Sequence, residues 1–187
     1  QVMDNLKTFE RKLLNHVNPY TGIAWKNDPA LIHISFINEN SLFAFWKRNT
    51  KFKAQYEKRY KVWLKENGIK TPTQGSFNRF ITAMQISSYK QLKDYTVQQL
   101  GCNIPASDCN HRNYINQTIS RDHYDYVDIH KYWDHPKFVI QWQYPMIFKN
   151  QSVIKNFCEL PCALMPARIY GKPFTVTEFN YVSPNRF

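Results

Sequence analysis

The chain has 187 residues, a mass of 22.4 kDa and an aromatic content of 16%, with only five glycines. This composition excludes a disordered tail, a collagen-like chain and a low-complexity linker, and the length suits one domain. The 25 lysines and arginines outnumber the 14 acidic residues, and the net charge of +11 suggests an anionic partner. The cations concentrate at residues 47–70, where glutamates interrupt them, and this favours a solvated helix face. Because acidic residues interrupt the cations, we do not expect nucleic-acid binding. No apolar stretch is long enough for a transmembrane helix, so we do not expect membrane insertion either.

The first elements in chain order are a helix, a turn and a strand. Apolar residues recur at helical spacing within residues 3–16, and a Pro and a Gly within residues 18–22 predict a turn. Residues 30–37 are almost all apolar and rich in β-branched side chains, which predicts a strand buried on both faces. The polar run 38–41 ends this strand.

Two longer helices are predicted next. Aromatic and aliphatic residues at spacings of three and four predict a helix over residues 50–67, with Thr50 as its cap and Gly68 as its stop. A second helix is predicted over residues 77–100, and Gly101 ends it.

Three further apolar runs lie at residues 102–106, 126–129 and 173–177, and polar residues follow each of them. A short helix is predicted at residues 113–121, between the first two runs. Strands that alternate with helices predict an α/β fold with parallel strands. Polar residues at the carboxyl ends of such strands are typical of the active-site face of a (β/α)8 barrel.

Four cysteines, at positions 102, 109, 158 and 162, permit two disulfides, but a chain of this size does not require them. Cys158 and Cys162 either pair with each other or remain free thiols. Cys102, Cys109 and His111 lack the close pairing of a structural zinc site. We therefore expect no metal and no cofactor.

Glu39 and Glu178 are the two carboxylates that stand out. Each follows a buried apolar run, and in a parallel barrel both project from the same end although 139 positions separate them. Glycosidases use such a pair, in which one carboxylic acid protonates the departing oxygen while the other attacks the anomeric carbon or activates water.

The chain resembles the clan-A retaining glycoside hydrolases, and within them a family-five-like group of cellulases and mannanases. In that clan an Asn-Glu pair ends barrel strand four and carries the acid/base, and a second Glu ends strand seven and is the nucleophile. The resemblance covers most of the chain in the correct order. It rests on residues 18–22, 28–31, 36–42, 128–136 and 177–180.

The resemblance implies roles for individual residues. Glu39 matches the acid/base and Glu178 the nucleophile, and Asn38 matches the residue that binds the sugar hydroxyl next to the reacting carbon. His130 and Tyr132 match the strand-six residues that flank the nucleophile. The remaining candidates for contact with the carbohydrate are Trp133, which either stacks on a sugar ring or packs in the core, and Asp108, Asn110 and His111 at the end of strand five.

The resemblance also implies that residues 1–187 are a partial (β/α)8 TIM barrel, with strands four to seven and their helices. The three leading strands and the last strand are missing from this match, so we expect a piece of a longer enzyme with little hydrolysis of its own. The implied reaction is retaining, double-displacement hydrolysis of a β-linked polysaccharide or oligosaccharide. A polymer substrate implies a secreted or periplasmic enzyme.

Two alternatives remain. A catalytically inactive carbohydrate-binding protein can share the same scaffold, because a fold does not guarantee an activity. A basic nucleic-acid-binding module fits the net charge alone, and its binding would fall steeply with salt. The charge further suggests an anionic polysaccharide as the substrate.

Overall fold

Helices dominate the first hundred residues of the chain, and most of the strands follow them. The computed structural model describes residues 1–46, 49–111, 115–133, 135–140, 143–147, 151–152 and 154–181. The helices are α1 (Val2–Leu14), α2 (Leu42–Phe45), α3 (Thr50–Glu66), α4 (Gln74–Asp94), α5 (Ile115–Arg121) and α6 (Glu159–Leu164). The strands are β1 (Ile34–Ser35), β2 (Ala106–Ser107), β3 (Val127–Trp133), β4 (Lys137–Ile140), β5 (Gln143–Ile147) and β6 (Phe174–Tyr181).

Two pairs of parallel strands form the centre of the fold. β1 pairs with β2, and β3 pairs with β6 over its whole length. Hydrogen bonds join the two pairs: Asp125 N donates to the Ala106 carbonyl at 3.1 Å, Ala106 N donates to Asp125 Oδ2 at 2.8 Å, and Ser107 Oγ donates to the Tyr126 carbonyl at 2.9 Å. The fold is therefore mixed α/β with small parallel sheets, and no closed barrel forms within the described ranges.

The first predicted strand is much shorter than expected and is not buried on both faces. β1 covers two residues of the predicted eight, and Ile32 is 70% exposed. Hydrogen bonds reach β1 from one neighbour, with Ile34 N donating to Pro105 and Phe36 N to Ser107. β1 is only half-buried because, among the described residues, no strand pairs with its other edge.

The two predicted long helices are confirmed, with changed ends. α3 begins one residue after Asn49, whose side chain accepts hydrogen bonds from Lys51 N and Phe52 N, so Asn49 and not Thr50 is the cap. Gly68 ends α3 at φ +64°, as predicted. α4 changes into a π-helical turn at Tyr95–Gln99 before Gly101, at φ +70°, ends it.

The later elements match the sequence less evenly. The runs predicted at residues 102–106, 126–129 and 173–177 correspond to β2, β3 and β6, although β2 contains only the end of its run. The antiparallel hairpin of β4 and β5 was not predicted. The predicted helix at 113–121 is confirmed as α5 from Ile115, and its first two residues lie outside the described ranges. Residues 47–48 of the basic segment and residue 134 of the 128–136 motif also lie outside them.

Three small apolar clusters stabilise these elements. The first contains Tyr89, Ala106, Cys109 and Tyr124, the second Leu14, Leu100 and Cys102, and the third Val127, Ile129 and Ala167. All four cysteines are free thiols, of which Cys102 and Cys109 are buried. Within the described chain, every helix is too short or too polar to cross a bilayer.

Candidate active site

Two glutamates and a histidine from three different segments meet where the loop that follows β1 lies beside the middle of β3 and the second half of β6. His130 Nδ1, on β3, lies 3.3 Å from Glu39 Oε1 and 3.4 Å from Glu178 Oε2. One oxygen of each glutamate and this nitrogen all lie within 4.8 Å of one another. We call the surface formed by Glu39, His111, His130, Tyr132 and Glu178 the rim. The fold thus brings together two carboxylates that are 139 residues apart in sequence.

The carboxylates at the rim are open to solvent, whereas the histidine between them is buried. The side chains of Glu39 and Glu178 are 45% and 33% exposed, and that of His130 is 6% exposed. A ligand can therefore reach both carboxylates from outside. Because Nδ1 of His130 faces one oxygen of each glutamate, the tautomer with its proton on Nδ1 shares that proton between two acceptors.

A change of register in the β3–β6 pair places Glu178 on the rim. Ile129 pairs with Val176, but His130 pairs with Glu178, so Thr177 is an extra residue in β6. Without this bulge His130 would face Thr177, and Glu178 would point to the opposite side of the sheet.

Tyr132, two residues after His130, shares its face of the strand. Its hydroxyl donates a 2.8 Å hydrogen bond to Glu178 Oε2. This bond, together with partial burial, raises the pKa of Tyr132. A phenol that keeps its proton is a permanent donor, and this hydrogen bond fixes the position of Glu178 Oε2.

The backbone of Glu39 adopts an unusual conformation that a buried amide supports. Glu39 has φ +51°, in the left-handed region that non-glycine residues seldom occupy. Its N–H donates to Asn110 Oδ1 at 2.6 Å. Asn110 is itself buried after β2, so the loop that carries Glu39 is held by the neighbouring segment of the sheet.

A chain of hydrogen-bonded polar side chains runs from Glu39 to β6, in which Asn110 and Asp128 are buried and Thr177 is exposed. Asn110 Nδ2 donates to Asp128 Oδ2 at 3.0 Å, and Thr177 Oγ1 donates to Asp128 Oδ1 at 2.5 Å. Thr177 directly precedes Glu178. One set of hydrogen bonds therefore fixes the backbone near both glutamates.

Asp108, another predicted ligand contact, is fully buried. Its Oδ2 accepts hydrogen bonds from Asn40 Nδ2 at 3.0 Å and from Gln85 Nε2 at 3.1 Å. Burial raises the pKa of the Asp108 carboxyl to about 7. Asp108 thus secures the loop that follows Glu39.

The other predicted contacts divide between the rim and the interior. His111 reaches the rim, with Nδ1 3.8 Å from Glu39 Oε2, and Asn38 is exposed beside Glu39. Asn110 lies beneath the rim with Asp108, so neither presents a group to a ligand in this structure. Trp133 is 2% exposed and its indole N–H donates to the Gln151 carbonyl at 3.2 Å, which favours packing over stacking on a sugar.

Sequence reasoning missed the supporting residues Asp128, Thr177, Asn40 and Gln85. The available signal was a polar residue inside an apolar run, because Asp128 lies between Val127 and Ile129. A carboxylate at such a position must be paired when the strand is buried, and that requirement predicts donors on the neighbouring strands.

The same three side chains could hold a metal ion. Glu39, His130 and Glu178 supply two carboxylate oxygens and an imidazole nitrogen, a ligand set that divalent transition metals accept. Without a metal, the arrangement offers two carboxylates for acid, base or nucleophilic chemistry, with a tyrosine that stabilises one of them.

No protein-family model matches the chain, and no curated protein or solved structure gives a significant match to it. Its function is therefore inferred from the chemistry of the rim.

Proposed function

We propose that the chain carries the catalytic residues of a retaining glycoside hydrolase that acts on a β-linked polysaccharide or oligosaccharide. The observation that supports this proposal is the short distance between carboxylate oxygens of Glu39 and Glu178, at most 4.8 Å. Retaining enzymes have carboxyl groups about 5–5.5 Å apart, and inverting enzymes need about 6.5–9.5 Å to admit a water. The short separation therefore suits direct attack on the sugar.

In the proposed reaction, Glu178 attacks the anomeric carbon while Glu39 protonates the departing oxygen. The leaving group then departs, Glu39 removes a proton from an incoming water, and that water releases the sugar from Glu178 with net retention. Tyr132 donates to the nucleophile and His130 keeps the two carboxylates oriented. Asn38 is the proposed contact to the sugar hydroxyl next to the reacting carbon.

The proposal interprets β1, β2, β3 and β6 as strands four to seven of a (β/α)8 barrel. The parallel pairing of β1 with β2 and of β3 with β6, with Glu39 after the end of β1 and Glu178 in the second half of β6, supports this interpretation. A polymer substrate would further make the enzyme secreted or periplasmic.

Hydrolysis of aryl β-glycosides with good leaving groups tests the proposal sensitively, and proton NMR identifies the anomer formed first. We expect the β-anomer, and we expect E178Q to lower kcat/KM by about 10²–10⁴-fold. A good leaving group needs little protonation, so E39Q should instead lower kcat, because it removes the base that activates water in the second step. E66Q is the matched control, because Glu66 is an exposed glutamate at the end of α3. An α-anomer, or equal activity of E178Q and E66Q, would refute the mechanism. Glycan binding without any turnover would favour the inactive carbohydrate-binding protein.

A further inference from the structure

A cleft of about 650 Å³ opens beside Glu39, between the loop that follows this residue and helix α3. This volume lies within the range of about 300–1,000 Å³ that small-molecule sites occupy. The side chains that matter for its chemistry are Asn40, Trp46, Phe52, Tyr56, Arg59 and Met84.

The position of the cleft determines which part of a substrate would enter it. Asn40 lines the cleft and directly follows Glu39 in the chain. In the proposed reaction Glu39 gives its proton to the departing oxygen, so the leaving group lies on the Glu39 side of the bond that breaks. The cleft is therefore on the leaving-group side of the rim.

The walls of the cleft suit a sugar ring. Trp46 packs on Phe77 with their ring centroids 4.6 Å apart, which anchors its indole. Tyr56 is half-buried, while Phe52 is 52% exposed. Such amphipathic aromatic rings can pack against the apolar faces of a sugar while its hydroxyl groups stay hydrated.

Arg59 adds a positive charge to these aromatic walls. Its Nη1 contacts Met84 Sδ at 3.9 Å, and no carboxylate of the described residues lies within ion-pair distance of its guanidinium. The rest of α3 is also basic, with five lysines against two glutamates. A guanidinium without an acidic partner matches the planar geometry of a carboxylate.

We propose that this cleft binds an acidic sugar on the leaving-group side of the cleaved bond, with Arg59 pairing with the carboxylate of a uronate. The assignment of the cleft to the leaving-group side of the cleaved bond rests on the proposed function. The preference for an acidic sugar rests on the cleft itself and can be measured without turnover.

Binding of matched sugars by the whole chain tests this inference. Isothermal titration calorimetry would compare β-1,4-linked gluco- and manno-hexasaccharides with their C6-carboxylate counterparts, at low and at physiological ionic strength. We expect at least one acidic hexasaccharide to bind about tenfold more tightly than its neutral counterpart, as one charge-assisted bidentate contact allows. R59Q should abolish this preference and leave binding of the neutral sugar unchanged.

Two further variants separate a specific contact from a general charge effect. K58Q removes an exposed cation at the neighbouring position of α3, which does not line the cleft, and it should keep most of the preference. Y56L removes an aromatic ring and should weaken the binding of neutral and acidic sugars by a similar factor.

Each outcome of the titrations has a defined meaning. Equal affinity for neutral and acidic sugars would overturn the inference but not the proposed function. The same would follow if R59Q and K58Q lost the preference for the acidic sugar to an equal extent. Failure of all four sugars to bind would overturn both the inference and the proposed function. Preferential binding that depends on Arg59, without any glycosidase activity, would support the inference and refute the proposed function.

Discussion

Glu39 and Glu178 depend on neighbouring side chains for their positions. His130 lies between them, and Tyr132 donates to Glu178. Each of these contacts is made by a single atom, so a conservative substitution that removes that atom tests the contact.

Replacing Tyr132 by Phe removes the hydroxyl that donates to Glu178 Oε2 and leaves the ring in place. A hydrogen bond to a charged group contributes about 1.5–3 kcal/mol, so we expect kcat/KM for aryl β-glycosides to fall about 10- to 100-fold. Y170F is the control because Tyr170 is fully exposed, and it should retain the wild-type rate. Equal rates for Y132F and Y170F would show that the hydroxyl has no part in the reaction.

Asp108 makes stability depend on pH. Burial raises the pKa of its carboxyl from 3.8 to about 7, so the folded chain holds this proton to higher pH than the unfolded chain. The stabilisation is complete below pH 3.8 and is lost as the pH rises through 7. At ~1.4 kcal/mol per pH unit, the free energy of unfolding should fall by about 4–5 kcal/mol over this interval.

D108N tests this effect, because asparagine keeps an acceptor for Asn40 and Gln85 but cannot ionise. Urea denaturation of both proteins between pH 4 and pH 8 gives the difference in their free energies of unfolding. We expect the variant to gain stability relative to the wild type as the pH rises. A difference that stays constant across this range would contradict the raised pKa.

At the scale of elements, the rim depends on how three segments are joined beneath it. Buried Asn110 after β2 and buried Asp128 on β3 form a hydrogen-bonded chain with Thr177 on β6, and the bulge in β6 turns Glu178 toward His130. The backbone of Glu39 is attached to the same chain through Asn110.

Replacing Asn110 by Ala leaves the Glu39 N–H without its acceptor and removes a donor from buried Asp128. Each buried unsatisfied group costs about 1–3 kcal/mol, so we expect the free energy of unfolding to fall by about 2–4 kcal/mol. Because Glu39 would lose its support, kcat should fall more than KM changes. N156A, which truncates an exposed asparagine, should leave both stability and kcat near wild type. If N110A is as stable and as active as N156A, the hydrogen-bonded chain does not position Glu39.

The sequence predicted the location of the parallel strands better than their extent. Apolar runs identified β3 and β6 because their side chains must leave water, but β1 is shorter because its length depends on the neighbours that pair with it. The β4–β5 hairpin was missed because its residues do not alternate between apolar and polar, and because a proline at position 145 argues against a strand. Most of its apolar residues are exposed in the structure. The meeting of Glu39 and Glu178 follows from parallel strand direction, whereas the bulge at Thr177 requires knowledge of the register.

At the scale of the whole molecule, two features lie side by side. The candidate catalytic residues lie together on β3, on β6 and in the loop that follows β1, and the basic helix α3 borders the cleft lined by Asn40, the residue after Glu39. This arrangement would attract an anionic glycan toward the carboxylate that protonates the leaving group. The attraction should weaken as salt screens the charges.

The central claim is that Glu178 is a nucleophile assisted by Glu39, and covalent labelling tests it most directly. A cyclitol epoxide of gluco or manno configuration is opened by a nucleophilic carboxylate while an acid protonates the epoxide oxygen, and the ester that forms is located by peptide mass spectrometry. The account predicts one ester per chain at Glu178, no ester in E178Q and slower labelling in E39Q. An ester on another carboxylate, or the absence of an ester with both epoxides, would contradict it.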